Sequence, residues 1–203
     1  MRNWKKIRLG DIAETITKGT TPTTIGYDFI INGINFIKIE AITENGDFRT
    51  DLFKHISLDC NKALSRSQLK KNDILFSIAG ALGRVAIVTD DILPANINQA
   101  LSIIRISSNL ISHNYLFYVL KTADVLKQFD KVKRGNAQLN LSLEDVKNIT
   151  IPYPPLEEQK RIVKIIENKL SDTESLREKC LEQLSYIQAM PSSILKKAFN
   201  GDY

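Results

Sequence analysis

Along residues 1–150 the apolar positions fall into short runs broken by turn residues, and beyond about residue 156 they thin to single positions three and four apart. Asn35-Phe36-Ile37-Lys38-Ile39, Asp73-Ile74-Leu75-Phe76-Ser77-Ile78, Val85-Ala86-Ile87-Val88 and Leu101-Ser102-Ile103-Ile104-Arg105-Ile106 have strand length and many β-branched residues, which suit a pleated, half-buried surface. Tyr115, Leu116, Val119, Leu120, Val125 and Leu126 recur at helical spacing and predict a helix over Ser112–Gln128. Shorter helices are predicted at Leu9–Ile16 and Ser142–Asn148. This mixture predicts an α+β fold, with helices beside a partly antiparallel sheet.

After Pro155 the pattern changes. Ile162, Ile166, Lys169 or Leu170, Thr173, Leu176, Cys180, Leu184 and Ile187 form a narrow stripe close to a 3.5-residue repeat, and the positions between them are nearly all charged or amide. The spacing predicts a helix from about Glu157 to Ala189, about 50 Å long at 1.5 Å per residue. Pro191 is expected to end it before a short terminal helix, Ser192–Phe199. Such a stripe either folds back on its own domain or meets another helix. Its narrowness and the balanced charge around it favour a second helix in a coiled coil, with Ile162, Ile166, Leu170, Leu176, Leu184 and Ile187 as a dimer interface.

The two regions meet at "IPYPPLEEQ", residues 151–159. Pro152, Pro154 and Pro155 fix their own φ angles and hold the preceding residues extended, so the strand cannot drift into the helix. Glu157 and Glu158 then fall in the first turn, where exposed N–H groups favour negative charge. The expected division is a domain over 1–155 and a helical region over 156–203.

Charge sharpens this division. The net charge is +5, and residues 156–203 hold eight Lys/Arg and eight Asp/Glu, which leaves 20 basic against 15 acidic residues before them. The whole surplus lies in the first region, as a polyanion-binding domain would have it. His55 and His113 are the only histidines, and neither stands in a zinc-ligand spacing, so no metal and no cofactor is expected. Cys60 and Cys180 are expected to be reduced thiols. The charged start, Met1-Arg2-Asn3-Trp4-Lys5-Lys6, and the lack of any membrane-length apolar run predict a cytoplasmic protein without membrane contact.

Three polar loops could meet a nucleic acid. "KGTTP" offers Lys18, Thr20 and Thr21; "SIAGALGR" offers Gly80, Gly83 and Arg84; "KVKRGNAQLN" offers Lys133, Arg134, Asn136 and Gln138. Cations suit phosphates, and amides suit base edges. Each is equally what a solvated loop or a tight turn between paired strands displays. No nucleophile motif, metal-ligand run or carboxylate cluster is present, so no catalytic residue is assigned. "PYPP" lacks the Asn or Asp that precedes Pro-Pro-aromatic in adenine methyltransferases.

In order along the chain, "WKKIRLGDIAETITKGTTP", "NDILFSIAGALGR", "NINQALSIIR", "RGNAQLNLS", "IPYPPLEEQKRIVKIIENKL" and "SSILKKAFNG" resemble the specificity subunit of type I restriction-modification systems. The resemblance implies a non-catalytic subunit whose target-recognition domain reads a DNA half-site. Its helical spacer would dock methyltransferase subunits, with or without a restriction subunit, and set the distance between half-sites. That family usually carries two of each part in one chain. One of each, with no internal repeat, resembles a half-sized form that pairs with itself, or a fragment. Asn98 and Gln99 also fall in a family motif, with their role open between bracing a loop and meeting DNA. The alternatives are a purely structural coiled-coil adaptor, which needs no basic domain, and an autonomous DNA methyltransferase, which needs a cofactor pocket absent from the motifs.

Overall fold

The computed structural model describes residues 4–107, 109, 111–129 and 140–200. Its contacts divide it into two compact units, Met1–Lys160 and Arg161–Tyr203.

The first unit is α+β, built on three small sheets. The largest orders its strands β2 (Ala13–Lys18), β8 (Leu101–Ile106), β5 (Ile74–Ser77) and β6 (Val85–Ile87), all antiparallel to their neighbours. A second sheet places β3 (Ile34–Ile37) between β4 (Lys54–Ile56), antiparallel, and β7 (Ala95–Ile97), parallel. In the third, β1 (Lys6–Arg8) pairs antiparallel with β9 (Thr150–Pro152). Ile37, Ala95 and Ile97 from the second sheet pack with Leu75, Ala86, Leu101 and Ile103 from the first, so the main core lies where these sheets meet. Within it, Arg105 grips the almost fully buried Asp73 with two hydrogen bonds, of 2.7 and 2.6 Å. Beside the second sheet, helix α1 (Leu58–Ala63) is tied to β7 by Asn96, whose amide donates to Asn61 Oδ1 and Leu64 O and accepts from Ser67 Oγ.

All four sequence-read strands are strands, with ends shifted by up to two residues. Two helical expectations are corrected. Leu9–Ile16 is not a helix: one 3-10 turn, Leu9–Asp11, leads into β2. Leu9, Ile12 and Ile16 imitate helical spacing, but Thr15, Ile16 and Thr17 are β-branched and pair with Arg105, Ile104 and Ile103 of β8. The helix expected over Ser112–Gln128 is two, α2 (His113–Leu120) and α3 (Ala123–Lys127). At the break Thr122 is extended, and both its N–H, at 3.0 Å, and its hydroxyl, at 2.7 Å, donate to Val119 O, closing the end of α2. The short helix α4 (Leu143–Lys147) starts with a capping box between Ser142 and Asp145.

Gln128 occupies the β9 edge of the two-stranded sheet. Its amide donates to Thr150 O and accepts from Thr150 N–H, both at 2.8 Å, as a neighbouring strand would. β9 then runs through Pro154 and Pro155 into helix α5 (Leu156–Asn200), with Glu157 and Glu158 in its first turn. Gln159, in that turn, is fully buried, accepting from Ser112 N–H at 2.8 Å and donating to Pro154 O at 2.9 Å.

The second unit is the rest of α5. Pro191 does not end it: the helix runs through Pro191 to Asn200, about 67 Å for its 45 residues. A proline's φ already suits a helix; inside one it forfeits an N–H bond and crowds the carbonyl four residues back, a local cost that does not end α5 here. Neighbours such as Ala189, Met190 and Leu195 favour continuation. Ile162 and Ile166 are partly exposed, while Leu170, Leu176, Leu184 and Ile187 are about half exposed or more, and Ile194 and Leu195 continue the apolar positions past the proline. Among the described residues no helix is long and apolar enough to cross a membrane.

Candidate nucleic-acid interface

β2 ends at Lys18, whose side chain is exposed, and the chain turns at Gly19. Gly19 has no room for a side chain: a Cβ there would lie 2.0 Å from Ile97 O and 2.5 Å from Asn98 O. The loop is thereby pressed onto the turn between β7 and β8, and Gly19 N–H donates to Leu101 O at 3.3 Å. Thr20 and Thr21 are half-buried, and the Thr21 hydroxyl donates to Gln99 Oε1. The turn itself is held from below, since Asn98 N–H donates to Ile37 O and Leu101 N–H to Asn98 O.

On its other side the same turn holds the glycine loop. Ile78 N–H donates to Ala100 O at 2.9 Å, Leu141 N–H donates to Ile78 O at 2.8 Å, and Ala79 bridges to Asn140. Lys18, Ile78, Ala79, Gln99, Ala100, Asn140 and Leu141 therefore surround one cleft of about 360 Å³. Two of the three sequence-read loops, and the last residue of the third, converge there. Lys133, Arg134, Asn136 and Gln138 lie outside the described residues.

The glycine loop connects the paired strands β5 and β6, and it is built by Ser77. The Ser77 hydroxyl donates to Ala81 O at 2.5 Å and accepts from Arg84 N–H at 2.8 Å. Gly80 (φ 71°) and Gly83 (φ 82°) both take left-handed backbone conformations that favour glycine, and a Cβ on Gly83 would also strike Leu126 at 2.5 Å. Arg84 turns inward: its guanidinium donates to Ile42 O at 2.8 Å and Ile39 O at 3.3 Å. With Gly83, Glu44, Lys121 and Leu126 it lines a second cleft of about 410 Å³. There Lys121 donates to Asn45 O and lies over the Phe117 ring, and burial lowers its pKa. Lys121 carried no sequence signal, being one cation inside a helical pattern.

Among the described residues no cluster of His, Cys, Asp and Glu is arranged to hold a metal. Cys60 is a buried free thiol in the cluster with Phe36, Ile56 and Leu64, and burial raises its pKa. Cys180 is exposed on α5.

The profile of the family described as "Type I restriction modification DNA specificity domain" matches residues 1–186. The chain belongs to this family. It is 32% identical over 202 residues to the type I restriction enzyme EcoBI specificity subunit of Escherichia coli, covering 98% of this chain and 42% of that one. The chain spans less than half the length of the curated specificity subunits it matches. Its fold is similar to the HsdS subunit from Thermoanaerobacter tengcongensis, with a TM-score of 0.68 and 23% identity, covering 88% of this chain and 44% of that one. It is also similar to a chain solved in work on complex assembly and conformational transition of the type I R-M system. There the TM-score is 0.72 and the identity 22%, covering 98% of this chain and 50% of that one.

Proposed function

We propose that this specificity domain reads one half-site of a bipartite double-stranded DNA target and is itself non-catalytic, methyl transfer being supplied by methyltransferase subunits. The observation that carries the reading is the convergence of Lys18, Gln99, Ala79 and Asn140 on one cleft, made from polar loops that a rigid turn holds together. A concave site displaying amides and a cation in the basic part of the chain suits a duplex. Residues 1–155 act as the reader and residues 156–203 as the spacer and dimerisation region. Leu170, Leu176, Leu184 and Ile187 leave apolar surface open to solvent, which supports a partner helix from a second copy and docking of the methyltransferase subunits beside it.

The test is to purify the chain alone and together with a cognate methyltransferase subunit, then sequence the methylated sites. The chain alone should bind DNA with salt-dependent affinity and transfer no methyl group. The pair should methylate a defined bipartite site. Methyl transfer by the isolated chain, or methylation unaffected by its presence, would overturn the proposal.

A further inference from the structure

Gln99 is an exposed side chain on a buried frame. Ile97 and Asn98 before it are buried, and the turn is fixed by hydrogen bonds to Ile37 and Ile78. The Thr21 hydroxyl engages Gln99 Oε1. Bidentate reading of adenine by glutamine needs both ends of the amide, the oxygen for N6 and the NH2 group for N7. Here Thr21 holds the oxygen end of the amide against its own loop, and the NH2 group is the end with no hydrogen-bond partner among the described residues. Lys18 lines the same cleft, is exposed, and has no ion-pair partner among the described residues. An ammonium group and an amide NH2 group together are donors suited to an anionic oxygen.

We propose that Lys18 and Gln99 form a clamp for a backbone phosphate of the bound duplex, with Thr21 as the positioning residue that orients the amide. This rests on the DNA-reading function above and assigns this part of the face to grip, leaving base reading to other side chains. Gly19 makes the arrangement possible, because only a residue without Cβ brings the Thr21 loop against the Gln99 turn. The clamp is sequence-independent, so its loss lowers affinity for every duplex equally.

The experiment measures binding of the purified chain to its target duplex and to an unrelated duplex across a salt series, with methylated-site sequencing in the presence of the methyltransferase subunit. Lys18→Ala and Gln99→Leu should each weaken binding to both duplexes by the same factor, about tenfold, and leave the methylated sequence unchanged. Lys18→Ala should also flatten the dependence of log K on log salt by about 0.9. Thr21→Val should weaken binding in the same uniform way, with Gln99→Leu adding little on top of it. The three positions are wholly or partly exposed, and matching thermal midpoints confirm that the variants are folded. A changed half-site in Gln99→Leu, or loss confined to the target duplex, makes Gln99 a base reader and overturns the clamp. Undiminished binding in both single variants also overturns it. A wild-type chain that binds no duplex removes the functional reading and the clamp together.

Discussion

Gln159 Oε1 accepts the backbone N–H of Ser112 at 2.8 Å, across 47 positions of sequence. Its Nε2 donates to Pro154 O at 2.9 Å, so one buried amide serves the start of α2 and the proline segment before α5 at once. Gln159→Leu keeps the volume but leaves an N–H and a C=O without partners. A buried unsatisfied group costs about 1–3 kcal/mol. Urea unfolding of the variant should show a loss of that order or somewhat more; an unchanged midpoint would mean that water satisfies both groups.

Burial pushes the Tyr115 phenol up to about 12 from its ordinary 10, while its hydroxyl donates to Pro152 O at 3.0 Å. Between pH 10 and 12 the unfolded chain loses this proton and the folded chain keeps it. The contribution to stability is therefore complete below pH 10 and is lost as pH rises through 12. Lysines titrate in the same window, so the informative quantity is the difference from Tyr115→Phe. Below pH 10 the wild type should be the more stable by about 1 kcal/mol, one hydrogen bond. The difference should shrink and reverse above it. A difference that stays constant with pH would contradict the burial effect.

Lys133, Arg134, Asn136 and Gln138 belong by sequence to the third polar loop. Lys133→Ala or Arg134→Ala should weaken binding to all duplexes and reduce its salt dependence if these cations meet phosphate. Asn136→Ala or Gln138→Ala should relax preference at particular base pairs by about 1–3 kcal/mol if the amides meet bases. Competition binding against single-base variants of the target separates the two effects. Four silent substitutions would turn this loop away from DNA.

The sequence read the central strands well because β5 and β8 are runs of apolar residues buried on both faces, a signal that needs no knowledge of partners. β1 escaped it, and β9 was visible only as the extended approach to the prolines. Each is three residues long, and they pair across more than 140 positions, so neither carries a periodicity of its own. The helical reading of Leu9–Ile16 failed because three apolar positions fit either structure, and pairing with β8 decided between them. Of the candidate interface, the loops themselves were legible from their cations, amides and glycines. What joins them was not: Gly19 against Ile97, and Ile78 bonded to Ala100, are backbone contacts that leave little mark on side-chain chemistry. Gln159 stood in the helix-entry stretch that carries the family resemblance, but its burial and its two bonds left no mark in the sequence.

The length of α5 bears on the proposed pairing of two copies. If antiparallel helices set the distance between two readers, seven residues inserted after Leu176 preserve the apolar repeat and lengthen the helix by about 10 Å. DNA rises about 3.4 Å per base pair, so the spacer between half-sites should grow by up to roughly three base pairs with the half-sites unchanged. Sequencing methylated sites of the insertion variant with its methyltransferase subunit measures this directly. A changed half-site with the original spacer, or a monomer in solution and on DNA, would contradict the ruler.

Gln128 carries a further consequence for how this chain behaves at high concentration. A two-stranded sheet ordinarily leaves rows of open N–H and C=O groups, which are templates for strands of other molecules. Thr150 has both of its outward groups occupied by a side chain of its own chain, and Pro152 has no N–H to offer. The β9 edge of this sheet is thus closed to recruitment of a further strand from another molecule.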